Sequence, residues 1–321
     1  MKRLLPILAG LALFSVTHLA AAQAYPNKPI RIILGFPAGS SSDTILRSMT
    51  PRMQSELGQS IIIDARPGAA SVPAMQAIKT QAPDGYSLIN LTSTVAVISA
   101  QANPPYDIRK DLTMIGETVA LPMYLAVNIE KMPVKTLAEL ISYIKANPGK
   151  LNFSSYGVGS LAHLSLELLS QRLNLSVLHV PYKGSADNAR AVAAGDSHAA
   201  FDVSTVLFPQ VEGGRIRIIA VSSENTWATT PQYPGMKAAG VPDFNAVIWN
   251  GIAGPAGLPM DVVRKVNAAI NAAQKDPLAI DFARKNALQA VPSTPEEFTQ
   301  TTRKDVETWA AVIKAGNITF N

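Results

Sequence analysis

Short apolar runs alternate with longer amphipathic stretches along most of the chain. Runs at 30–34, 61–64, 87–91, 114–117, 124–127, 151–154, 177–180, 199–202, 216–221 and 247–252 are rich in β-branched residues and read as strands. Apolar positions recurring every three to four residues predict helices over 43–57, 72–81, 136–146, 161–173, 186–194, 261–275, 277–286 and 295–315. The helix from Thr136 shows how sharply such ends are marked. Thr136 suits the N-cap, Glu139 follows at capping-box spacing, and Asn147-Pro148-Gly149 stops the helix. Alternating β and α elements give an α/β fold with mostly parallel sheets flanked by helices.

The first 24 residues fall outside this alternation. Lys2 and Arg3 precede an apolar core, and Ala22-Gln23-Ala24 has the small-x-small form of a signal-peptidase site. The core is too short to span a bilayer comfortably. Residues 1–24 are therefore expected to be a signal peptide, with the mature chain starting at Tyr25. Later apolar stretches are interrupted before membrane length, as in 244–259, where Asn245, Asn250, glycines and prolines intervene.

Composition narrows the chemistry. Charged residues make up 16% of the chain, which suits a globular protein. There is no cysteine, which excludes thiol catalysis and thiolate metal sites and leaves an exported chain to rely on its core. Past residue 24 the chain holds 26 basic and 23 acidic residues, scattered and without an arginine-rich block. Nucleic acid is a poor match for that distribution, whereas a mild positive field favours a small anion.

The polar residues that stand out lie where strands hand over to helices. Phe36, Pro37, Ala38, Gly39, Ser40, Ser41, Ser42 and Asp43 join the run IRIIL to the next helix. In open α/β sheets, ligands bind at this end of the strands, where helix N-termini offer free amides and partial positive charge. Ser40 and Asp43 also have capping-box spacing, so the stretch alone reads equally as a helix cap. The same pattern recurs at Thr92, Ser93 and Thr94, at Gly157, Gly159 and Ser160, and at Ser204 and Thr205. Four such ends meeting in one cleft would make a polar cage for an anion.

Other motifs add less. GVGSLA at 157–162 fits G-x-G-x-x-A, yet the next strand ends HVPY without an acidic residue to hold a ribose. Neither a G-x-S-x-G elbow nor a Walker loop occurs. His163, His179 and His198 show no metal-ligand spacing, and no cofactor is expected. His163 lies in the first turn of a helix and can either donate to a ligand or make a structural hydrogen bond, the latter being the more common role.

The segments YPNKPIRIILGFPAGSSSD, GQSIIIDARPGAA, APDGYSLI, NPPYD, NPGKLNFSSYGVGSLAHLSLELL, HVPYKGSADNA and WNGIAGPAGLP occur in this order. Over nearly its whole length the mature chain resembles the substrate-binding proteins of tripartite tricarboxylate transporters, the Bordetella uptake gene or TctC-like family. That resemblance implies a periplasmic, two-domain α/β binding protein of the type II kind, non-catalytic and monomeric, closing on a small organic acid like a Venus flytrap. It further implies membrane permease subunits as partners. Carried over by motif, 36–42 form the first ligand loop and Asp43 its acidic residue. Thr92 and Ser93 fall in the second loop, Gly157 to Ser160 in the third, and Asp202 in the fourth. The chain departs from the family pattern at Ser40, usually glycine, at Ala65, usually asparagine, at Ala70-Ser71-Val72-Pro73, and at Val203-Ser204-Thr205-Val206.

Crossings near 123–126 and 247–252 would divide the chain into one domain of 25–123 plus 249–321 and a second of 124–248. Two other readings stay open: an exported α/β hydrolase using a strand-end serine, and a ligand sensor for a signalling receptor.

Overall fold

The computed structural model describes residues 25–68 and 71–320. The expected signal segment 1–24 lies outside the described residues, as does Ala70. Two sheets organise the rest. The six-stranded sheet has the order β11-β4-β10-β3-β1-β2, built from β1 (Ile30–Leu34), β2 (Ile61–Ala65), β3 (Ser87–Thr92), β4 (Leu112–Pro122), β10 (Val247–Pro255) and β11 (Gln289–Ala290). The five-stranded sheet runs β7-β6-β8-β5-β9, from β5 (Tyr124–Asn128), β6 (Asn152–Ser155), β7 (Leu178–Pro181), β8 (Ala199–Asp202) and β9 (Ile216–Val221).

Both sheets are mixed rather than mostly parallel. β1 pairs in parallel with β2 and β3, and β6 with β7 and β8. By contrast β10 is antiparallel to β3 and β4, β11 to β4, and β5 to β8 and β9. Parallel neighbours need a long crossover, usually a helix. Strands that carry the chain between sheets have none, so they enter against their neighbours.

Side-chain alternation sets the layers. On β1, Ile30 and Ile32 pack with α1 (Ser41–Leu57) and α9 (Met260–Ala273), while Ile33 turns to the face covered by α2 (Val72–Lys79). α3 (Thr94–Ser99) and α4 (Ile108–Asp111) follow β3. α5 (Leu137–Ala146), α6 (Leu161–Leu173), α7 (Ser185–Ala194) and α8 (Ser204–Glu212) accompany the second sheet. α8 was not expected as a helix because Pro209 lies inside it and interrupts the helical signal. α10 (Pro277–Lys285) and α11 (Pro295–Ala315) complete the chain; Thr294 and Glu297 form a reciprocal capping box at the start of α11.

The chain passes between the sheets at Met123 and returns along residues 222–246. Ser222 ties the two passages together. Its hydroxyl accepts from Met123 N–H at 2.9 Å and donates to the Ala246 carbonyl at 2.8 Å. Its own N–H donates to Met123 O, and Ala246 N–H donates to Ser222 O. α11 adds a non-covalent link: it packs on β4, and Gln171 of α6 donates to its Val312 carbonyl at 3.2 Å.

Glu117, buried in β4, gives this fold an unusual pH response. Desolvation, aided by the nearby Asp305 carboxylate, pushes its carboxyl up to about 8 from an ordinary 4.5. A carboxyl whose pKa is higher folded than unfolded stabilises the fold fully below about 4.5, and that stability is lost as pH rises through about 8. Glu117→Gln removes the penalty. The variant should exceed the parent by a few kcal/mol near pH 9, with the gap closing near pH 5. Urea midpoints at both pH values measure it; parallel stability curves would show that Glu117 does not titrate in this range.

Candidate functional site

A cavity of about 530 Å³ lies between the sheets, at the ends of β1, β3, β8 and β10. From the first sheet come Phe36, Gly39, Ser40 and Ser42, with Thr92, Thr94 and Asn250. From the second come Tyr156, Ser185, Val203, Ser204 and Thr205. A smaller cavity of about 190 Å³ shares Thr94, Tyr156 and Ile248 with it and adds Ser93, Gly159 and Ser160.

The first loop is a tight turn before α1. Ser40 N–H donates to Pro37 O at 3.1 Å, and Gly39 takes φ +80°, which favours glycine. Ser40 is the N-cap in extended geometry, and its Oγ accepts from Asp43 N–H at 3.3 Å. The Asp43 carboxylate accepts from Gly39 N–H at 2.8 Å and from Arg47 Nε at 2.9 Å. The Arg47 hydrogen bond holds it below the usual carboxylate range. Asp43 therefore shapes the loop and lies outside the cavity lining. Pro37 and Ala38 are exposed, and Ser41 opens α1. Gly35 is needed for packing, because a Cβ there would sit 2.2 Å from Ser71 Oγ.

Ser42 and Asn250 couple distant parts of the chain. Ser42 Oγ donates to Asn250 Oδ1 at 3.1 Å, which orients that amide with its NH₂ as the remaining donor. Thr92 Oγ1 is buried and has no hydrogen-bond partner among the described residues. An unsatisfied hydroxyl in the lining of a cavity is a candidate ligand contact.

The third and fourth loops spend much of their polarity internally. Ser160 caps α6, accepting from His163 N–H at 3.3 Å and donating to Gly157 O at 2.7 Å. Gly159 N–H donates to His163 Nδ1 at 3.1 Å, so His163 supports the loop from behind. Its ring stacks on His179 at 3.7 Å. Burial pulls His179 down to about 4, helped by the neighbouring His163, and its Nε2 lies 2.8 Å from Ser155 Oγ. Ser155 is fully buried and also bonded to Gly157. This Ser–His pair lies outside both cavities. Asp202 accepts from Asn188 Nδ2 at 2.7 Å and from Val203 N–H at 2.8 Å; its burial pushes it up to about 6. Asp202 and Gly157 line neither cavity, whereas Ser204, at the start of α8, lines the larger one.

Sequence reasoning did not find Asn250, Tyr156 or the contribution of Phe282, Asn286 and Leu288 from α10 and its following turn. Asn250 had a signal, since it interrupts an apolar run. The α10 residues had none. The cavity thus offers neutral donors and helix N-termini from both sheets, and its described lining holds no charged side chain. Such a site can hold an anion by oriented dipoles. Among the described residues there is no cluster able to hold a metal ion, and no helix long and apolar enough to cross a membrane.

Comparison with known proteins agrees with this architecture. A UPF0065 protein encoded between tcbD and tcbE in a Pseudomonas species is 30% identical over 312 residues, spanning 96% of this chain and 93% of that protein. The R. palustris protein Rpa4515, solved with adipate, superposes with a TM-score of 0.73 at 27% identity, covering 92% of this chain and 99% of the other. MatC of Rhodopseudomonas palustris, solved with malate, superposes at 0.70 with 25% identity, covering 90% and 100%. The periplasmic binding protein BugD superposes with a TM-score of 0.69 at 26% identity, covering 92% of this chain and 99% of the other, and this chain shares its α/β fold. The model of the tripartite tricarboxylate transporter family receptor, TctC, matches residues 45–318, and with the cavity lying between two sheets as that fold requires, the chain belongs to this receptor family.

Proposed function

We propose that this protein is a periplasmic solute-binding protein that captures a small carboxylate between its two sheets and hands it to a tripartite tricarboxylate-type permease. The observation that carries the reading is the inter-sheet cavity, lined by Ser40, Ser42, Thr92 and Ser204 at strand and helix ends. Its hydroxyls and amides match a carboxylate, which accepts several hydrogen bonds at once. The adipate and malate held by related proteins support the same ligand class. We take the domains as 25–123 plus 249–321 and 124–248, with closure where the chain crosses at Met123 and beside Ala246, since few residues there need to change conformation. Export with cleavage after Ala24 fits the periplasmic neighbours.

A thermal-shift screen against organic acids tests the reading. A ligand at a hundred times its Kd adds about 2.7 kcal/mol to the native state, which raises the melting temperature by several degrees. No stabilisation by any mono-, di- or tricarboxylate would refute it.

A further inference from the structure

The cavity is not polar throughout. Ile45 of α1, Leu121 of β4, Phe282 of α10 and Leu288 after it line it together. The same four residues belong to one contiguous apolar cluster with Val119 and Ala283. The one polar side chain on this wall is Asn286, whose Nδ2 spends one of its two N–H groups on Phe282 O at 2.8 Å. No lysine or arginine is among the lining residues. The volume of about 530 Å³ is room for roughly eighteen waters at about 30 Å³ each, far more than one carboxylate group fills.

Polar donors and an apolar wall in one cavity call for a ligand with both characters. A second carboxylate placed against Phe282 and Leu288 would lose its hydration without gaining a cation. An alkyl chain or aromatic ring there would gain by leaving water. Resting on the carboxylate reading above, we infer that the ligand is a monocarboxylate with an extended apolar body, and that Phe282 and Leu288 select it over dicarboxylates. The carboxylate lies among the hydroxyls and helix ends, and the apolar body against α10.

Calorimetric titration with acetate, butyrate, hexanoate, octanoate and adipate tests this on the purified protein. Each added methylene in the monocarboxylates should tighten binding about fourfold until the wall is covered. Hexanoate and adipate have the same carbon count and differ only in the terminal carboxylate; hexanoate should bind at least tenfold tighter. Phe282→Ala should lower hexanoate affinity about tenfold more than acetate affinity, and Phe282→Arg should reverse the preference towards adipate. Adipate binding as tightly as hexanoate, or a flat chain-length series, overturns the inference while the carboxylate reading stands. If none of the five acids binds, and the wider acid screen is also negative, both readings fail.

Discussion

Replacing Ser40 by aspartate is expected to weaken carboxylate binding more than a hundredfold while the protein stays folded. Ser40 both lines the cavity and caps α1, with extended backbone (φ −66°, ψ 163°) and its Oγ 3.3 Å from Asp43 N. Aspartate is an equally good N-cap, so α1 keeps its start. The ligand, however, loses a hydroxyl donor worth about 1.5–3 kcal/mol towards a charged group. It also meets a like charge, which at about 4 Å and an effective dielectric near 20 costs about 4 kcal/mol. Titration with an acid identified by the screen measures the loss, and circular dichroism confirms the fold. Affinity within threefold of the parent would mean that the first loop is a cap and not an anion site.

Phe298→Ala carries the largest expected loss of stability. Phe298 is fully buried in α11, and its ring meets Trp249 edge-on at 5.3 Å and 86°. It lies over Gly251 of β10 so closely that a Cβ on that glycine would sit 2.2 Å from Phe298 Cζ. Ring and glycine are thus complementary, and truncation leaves a cavity over bare backbone. Phe→Ala in a core costs about 3–5 kcal/mol, a large share of the roughly 5–15 kcal/mol that stabilises a native domain. Urea unfolding should show a lower midpoint at unchanged slope. A loss under about 1 kcal/mol would contradict this packing. Gly251→Ala should destabilise too, because the added methyl would force Phe298 aside.

Much of the secondary structure was legible because its signals are local. α11 begins at Pro295 and ends at Ala315 as its periodicity and proline indicate, and α6 spans Leu161–Leu173 as expected. Caps, prolines and apolar spacing act within a few residues, so one stretch of chain carries all the information. β4 ran longer than its signal, to Leu112–Pro122, since burial between β10 and β11 sustains a strand beyond its own propensity. The antiparallel pairings were not legible either, because they follow from the two passages between sheets.

The polar strand ends could be read off the chain, but their individual tasks could not. Ser40, Ser42, Thr92 and Ser204 line the larger cavity, whereas Asp43, His163 and Asp202 are taken up by neighbours within the protein. A serine looks the same in sequence whether its hydroxyl faces a cavity or a backbone amide. The partner that decides can lie far along the chain, as Asn250 does for Ser42. The apolar wall shows this most plainly. Phe282 and Leu288 read as ordinary helix-face and turn residues, and they meet Ile45 and Leu121 only because α10 returns to the first sheet after the chain has built the second. Hydrogen-bond reach and van der Waals contact are set by distance in space, and that distance exists only once both sheets are assembled.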